Sequence, residues 1–196
     1  MSTRIEKQFM FQAAIYYENK FMMNIYDFSI SMLVQTDSIR EQNIAMERIK
    51  YFINECLENS IFINQNQSEI IEKYKNCGLK IAILPEDPYD QVVGLLLMIK
   101  LNAITEGRLM ITDIVFGSKH GDEVSFCLVL EQAEAAFPEP GWWTEAQNCV
   151  TKNIKINKNE KVVKLFDHLS WDSLGLTWKE KKKKSSEKVL TLDTEK

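Results

Sequence analysis

Between Met22 and Gln35 the chain alternates with a period of two. Tyr26, Phe28, Ile30, Met32 and Val34 fall on one side, and Ile25, Asp27, Ser29, Ser31 and Leu33 on the other. A period of two is the signature of a half-buried strand, so a strand is predicted over 22–35. Residues 8–17 alternate in the same way through Phe9, Phe11, Ala13 and Ile15, although Gln12-Ala13-Ala14 also suits a helix. With Glu18-Asn19-Lys20 as a hairpin turn between them, both segments read as strands.

The period then changes. Ser38 and Glu41 form a Ser-x-x-Glu capping box, which satisfies free amides at a helix start. Ala45, Ile49, Phe52, Ile53, Cys56 and Leu57 follow at steps of three and four, which predicts one amphipathic helix running to about residue 57. Ser60-Ile61-Phe62-Ile63 reads as a short strand, and Ser68 opens a helix through Ile70, Ile71 and Tyr74 that Gly78 is placed to end. Leu79 to Leu84 is an apolar run expected to be a buried strand. Pro85-Glu86-Asp87-Pro88-Tyr89-Asp90 stops it, with Asp87 as the expected N-cap of the next helix, Pro88 at its first position and Asp90 at its third. That helix is apolar on nearly every side from Val92 to Ile104, which predicts a buried central element closed near Gly107. Arg108–Phe116 and Glu123–Leu130 then form an antiparallel pair across a turn at Gly117 to Asp122.

Beyond Ala136 the pattern loosens. Pro138-Glu139-Pro140-Gly141 is a rigid turn bearing Trp142 and Trp143; Lys161–Phe166 suits strand or helix; Trp171 to Trp178 reads as a short packed segment. From Lys179 the chain has no aromatic residue and is expected to be disordered. The expected fold class is therefore mixed α/β (α+β): one mixed parallel/antiparallel sheet with a buried central helix and flanking helices. It would occupy residues 5–178 as a single domain, followed by a lysine-rich tail over 179–196.

A chain of 196 residues can bury a core without staples. Cys56, Cys77, Cys127 and Cys149 lie 21, 50 and 22 residues apart, which matches neither a zinc knuckle nor a redox Cys-x-x-Cys pair. The amino terminus lacks the apolar stretch of a signal peptide, and the greasiest segment, Val92 to Ile99, is far too short to span a bilayer. A cytoplasmic protein without membrane contact is expected. Net charge is −4, but residues 179–196 hold seven lysines against four acids, so residues 1–178 carry −7. A body of that sign disfavours the phosphate backbone, and nucleic-acid contact is expected at most weakly, through the tail.

Three constellations have chemical interest. Glu86, Asp87 and Asp90 are carboxylates at a strand end, suited to Mg²⁺ or Mn²⁺, which prefer oxygen ligands. Helix capping is the preferred reading of Asp87 and Asp90, since the helix dipole favours ionised groups there. Glu106 sits about 24 Å away along its helix and cannot join them. His120 and His168 are the only histidines. His120 falls in the Gly117–Gly121 turn, which is not a Gly-x-Ser-x-Gly elbow, and Cys149 with His168 is the one nucleophile–base pairing to weigh. The loop after Leu84 has two acids and no glycine, where a phosphate-cradling loop needs glycine and free amides. Trp142 and Trp143, being adjacent, are expected to face opposite ways; either they simply seal the sheet edge, the preferred reading, or one plugs the core and the other serves as a surface anchor for a partner.

The absence of recognisable catalytic spacing points to a non-catalytic intracellular protein-binding or regulatory module that acts through a partner protein, with Trp142 and Trp143 as candidate contacts and no cofactor. The alternatives are a small metal-dependent enzyme on phosphorylated or nucleic-acid substrates using Glu86, Asp87 and Asp90, and a structural subunit of a larger assembly. Self-association into a homo-oligomer is compatible with each.

Overall fold

A computed structural model describes residues 3–75, 77, 79–122, 124–147, 150 and 170–178. Lys161–Phe166, Cys149, His168, Gly78 and the 179–196 tail lie outside the described residues.

The alternating amino-terminal segments form a long hairpin, β1 (Arg4–Tyr17) and β2 (Lys20–Val34). Its turn is two residues long, and Glu18 and Asn19 both take positive φ (48° and 62°), the type I′ geometry whose twist matches the strands it joins. β3 (Ser60–Asn64) and β4 (Ile81–Leu84) add to one side in parallel; β5 (Leu109–Ser118) and β6 (Ser125–Val129) add to the other antiparallel. Among the described residues the result is one six-stranded mixed sheet in the order β4-β3-β1-β2-β5-β6, an α+β fold with four α-helices. β4 is thus an edge strand, although its side chains are buried. β4 and β5 are separated by three strands, so the helix joining them crosses beneath most of the sheet.

That helix is α3 (Asp90–Thr105), buried along its length from Val92 to Thr105. One side meets the sheet; its others are covered by α1 (Ile39–Tyr51), α4 (Leu130–Ala136) and a 3₁₀ turn at Trp142–Thr144. Its N-cap is Tyr89, two residues later than the capping pattern predicts, because the turn holding Asp87 is closed by the Tyr89 N–H donating to the Asp87 carbonyl at 2.7 Å. Glu106 and Gly107 end it with φ of 48° and 76°.

The single helix expected from Ser38 to Leu57 is two pieces. Ser38 Oγ accepts from the Glu41 N–H at 3.3 Å and starts α1, but at Phe52 the backbone widens into a π-helical segment, Phe52–Leu57. The wider turn lets Phe52, Ile53, Cys56 and Leu57 all enter the core. α4 has no counterpart among the sequence-predicted elements.

Alternate residues assign the faces. Phe62, Ala82 and Leu84 join the main core with α1 and α3. Ile61, Ile63 and Ile81 point the other way and pack with Tyr16 and Ile71 under α2 (Ser68–Lys75). α2 covers that second face over β3, β4 and the turn end of the hairpin, where Tyr16 packs with Ile71 and Phe21 meets the Tyr74 ring. Among the described residues, nothing covers the remainder of the face over β1, β2, β5 and β6.

Candidate functional site: the open sheet face

The open face is built from the outward positions of four strands. The hairpin and β5 registers align Gln8, Ser29, Val115 and Cys127 in one row, and Met10, Asp27, Gly117 and Ser125 in the next. Two shallow depressions lie across these rows, of ≈ 370 and ≈ 340 Å³. Met10, Met23, Val115 and Val124 stand in or beside them at 67, 54, 42 and 52% exposure. The polar side chains between them are tied to one another. Gln8 Nε2 donates to Asp27 Oδ1 at 3.1 Å, and Arg4 donates to Ser31 Oγ at 2.9 Å and to Asp113 Oδ2 at 3.3 Å. Thr112 sits at a β-bulge opposite Ser31 and donates to Asp113 Oδ2 at 2.6 Å, which fixes that carboxylate from its other side. The Arg4–Asp113 pair is half exposed, so it orients the face more than it stabilises the fold.

Trp142 and Trp143 are elsewhere. Both are buried, at 6 and 8% exposure, so the surface anchor expected of one of them is not present. Adjacent residues in an extended strand would diverge, but these open a 3₁₀ turn, which lets both rings turn inward, edge to face at 5.9 Å. The Trp142 ring lies against Phe52, and its indole N–H donates to the Ile83 carbonyl at 2.8 Å, closing the outer edge of β4.

The three loop carboxylates have separate surroundings. Glu86 is exposed, Asp87 accepts from Asn64 Nδ2 at 2.8 Å, and Asp90 accepts from Ser118 Oγ at 2.7 Å. Among the described residues, no three His, Cys, Asp or Glu side chains gather as a metal site. His120 is exposed in its turn, with Nε2 at 2.7 Å from the Met23 carbonyl. Nearby, the hydroxyls of Tyr17 and Tyr89 meet at 3.0 Å, and that bond, before any charge effect, pushes the Tyr17 pKa up to about 12. Tyr26, buried among aromatic rings, is pushed up as well, by desolvation.

Two buried cations carry an organisation that periodicity did not reveal. Lys100 interrupts the apolar run of α3 and is wholly buried; its Nζ donates to the carbonyls of Trp142, Glu145 and Gln147 at 2.7, 2.7 and 2.6 Å. Arg48 of α1 lies between the rings of Trp171 and Trp178, at 4.8 and 3.9 Å from their centroids. It donates to the Leu176 and Ile104 carbonyls and to Glu106 Oε1 at 2.8, 3.0 and 2.7 Å. Burial lowers its pKa and Glu106 opposes that, so the guanidinium stays charged. Trp178 in turn stacks on Arg108 and donates its indole N–H to Glu106 Oε2 at 2.8 Å. The sequence signal for both was a lone basic residue on an otherwise apolar helix face, followed far downstream by tryptophans.

No helix among the described residues is long and apolar enough to cross a membrane. No family model matches the chain, and no curated protein matches it significantly. Among solved structures it is similar to the uncharacterized protein WS1659 from Wolinella succinogenes, at 11% identity and a TM-score of 0.43. The likeness covers 66% of this chain and 98% of that one, and at this level it carries no functional argument.

Proposed function

We propose that the chain is a non-catalytic binding module that receives a partner protein on the open face of β1, β2, β5 and β6. The carrying observation is the set of exposed apolar side chains, Met10, Met23, Val115 and Val124, standing among polar groups already bonded to one another. Methionine suits such a surface, because its flexible thioether adapts to the shape it meets. The depressions are lined by the carboxylates of Glu6, Asp27 and Asp113 against the cations of Arg4 and Lys119. With −7 carried by residues 1–178, this favours a partner whose apolar contacts are flanked by basic groups.

A photo-crosslinking residue at Met10 or Val115, compared with one at Glu72 on exposed α2, tests the reading. The expected result is a discrete partner captured from the face and not from α2, with capture lost in Met10→Asp/Val115→Asp while the melting temperature is unchanged. Equal capture at Glu72, or capture that survives the double substitution, overturns it.

A further inference from the structure

The two edges of the sheet are finished differently. The β4 edge is four residues long and its Ile83 carbonyl is occupied by the Trp142 indole. The β6 edge is Ser125-Phe126-Cys127-Leu128-Val129, with no charge and no proline. Its ladder is with β5 alone, and among the described residues the outward side of Ser125–Leu128 has no backbone hydrogen bond. Alternate residues of such a strand direct N–H and C=O groups outward, and exposed edges are normally blunted by lysine, proline or a bulge. β6 has none of these, and among the described residues its edge is unpaired.

The strand is also complementary to itself. Centred on Cys127, an antiparallel copy places Phe126 opposite Leu128 and Ser125 opposite Val129; the Val129 N–H already donates to Gln132 Oε1 at 3.3 Å, so the ladder rests on Ser125 to Leu128. Leu128 is in the core and Phe126 packs against it, so those cross-strand pairs continue the helix-covered face from one chain into the next. Ser125 and Cys127 are exposed and Val129 half-buried on the other face. No like charges oppose each other, and apolar cross-strand pairs are stabilising. A slip by one residue would set buried positions against exposed ones, and moving the centre to Phe126 or Leu128 would leave only three of the five residues paired within the strand.

We propose that β6 pairs antiparallel with β6 of a second copy about a two-fold axis through Cys127, joining two six-stranded sheets into one. Such an interface is isologous, as closed dimers require. It places two open faces side by side, but does not depend on what those faces bind.

The pairing puts the two Cys127 Cα atoms about 4.5–5.5 Å apart, within the range a disulfide spans. The test uses the full chain with copper(II) phenanthroline, the copper taking the two electrons as two thiols lose their protons and join. A Cys127–Cys127 linked dimer, reversible by reductant, is expected to form roughly a thousandfold faster than linkage through Cys77, which is also exposed, because pairing raises the effective thiol concentration from micromolar to millimolar. Without oxidant, sedimentation equilibrium should give twice the 22.8 kDa chain mass. Cys127→Lys, which sets two cations face to face at an exposed position, should return the chain to a folded monomer whose melting temperature no longer depends on protein concentration. A monomer at every concentration, linkage through Cys77 as readily as Cys127, or a dimer that persists in Cys127→Lys overturns the proposal. No partner captured at Met10 or Val115 of the otherwise unsubstituted chain, with the dimer intact, would count against the open-face function alone.

Discussion

The helix-covered and open faces of the same six strands are held in different ways. The covered face is sealed by apolar packing and by two cations out of water, Lys100 and Arg48, each binding carbonyls of the carboxy-terminal part of the chain. The open face has an ion pair as well, Arg4 with Asp113, but it stands in solvent. The same kind of charge is thus a structural tie on one side and an orienting group on the other. The difference is burial: a charge in a dry interior must have partners, and losing them is costly, whereas water substitutes for a lost partner at the surface.

The largest expected effect that would break this comparison is at Lys100. Lys100→Met keeps most of the volume and leaves three carbonyls facing an apolar side chain. A loss of about 3–5 kcal/mol is expected by urea unfolding at unchanged m-value, with backbone amides of residues 142–147 becoming the first to exchange. A loss below about 1 kcal/mol would mean that water serves those carbonyls and that the covered face has no such tie.

A smaller effect sharpens the contrast in packing. Gly94 of α3 lies so close to the sheet that an added Cβ would meet Leu128 Cδ1 at 2.6 Å and Phe116 Cγ at 3.0 Å. Gly94→Ala should therefore destabilise by about 1–3 kcal/mol, overriding the helix propensity that alanine brings. Val115→Ser, one strand position from Phe116 but on the open face, should change stability by less than about 0.5 kcal/mol. Equal losses at the two positions would show that the open face is packed after all.

The smallest effect is at the hairpin end. The Tyr17 pKa is raised in the folded chain, so folded protein holds that proton more tightly than unfolded protein does. Stability is then untouched below pH 10 and falls as the pH climbs from 10 towards 12. Tyr89→Phe removes the hydroxyl partner, and phenolate absorbance should show Tyr17 ionising closer to 10, with its late step near 12 gone. An unchanged titration would assign the shift to another cause.

Much of the fold is legible from local pattern. Alternation in Phe9–Ile15 and Tyr26–Val34 reflects one wet and one dry face, and the all-apolar run from Val92 reflects a helix with no wet side. Local pattern was a poorer guide where a side chain had a distant alternative. Asp87 has the sequence context of an N-cap, yet Asn64 at the end of β3 engages its carboxylate. Adjacent Trp142 and Trp143 predicted one exposed ring, yet a 3₁₀ turn buries both, Trp142 against Phe52 and Trp143 against Trp142.

What the sequence determined by itself is the set of elements and their dry faces, because hydrophobic period is a property of neighbours a few residues apart. Strand order, the sealing of the β4 edge, the openness of β6 and the partners of Lys100 and Arg48 were decided only in the tertiary structure. The β4 seal and the carbonyl partners of Lys100 and Arg48 join residues 42 to 128 positions apart. Which edge is left bare, and which cation finds its carbonyls, depends on where the chain's far segments come to rest, and no local spacing encodes that.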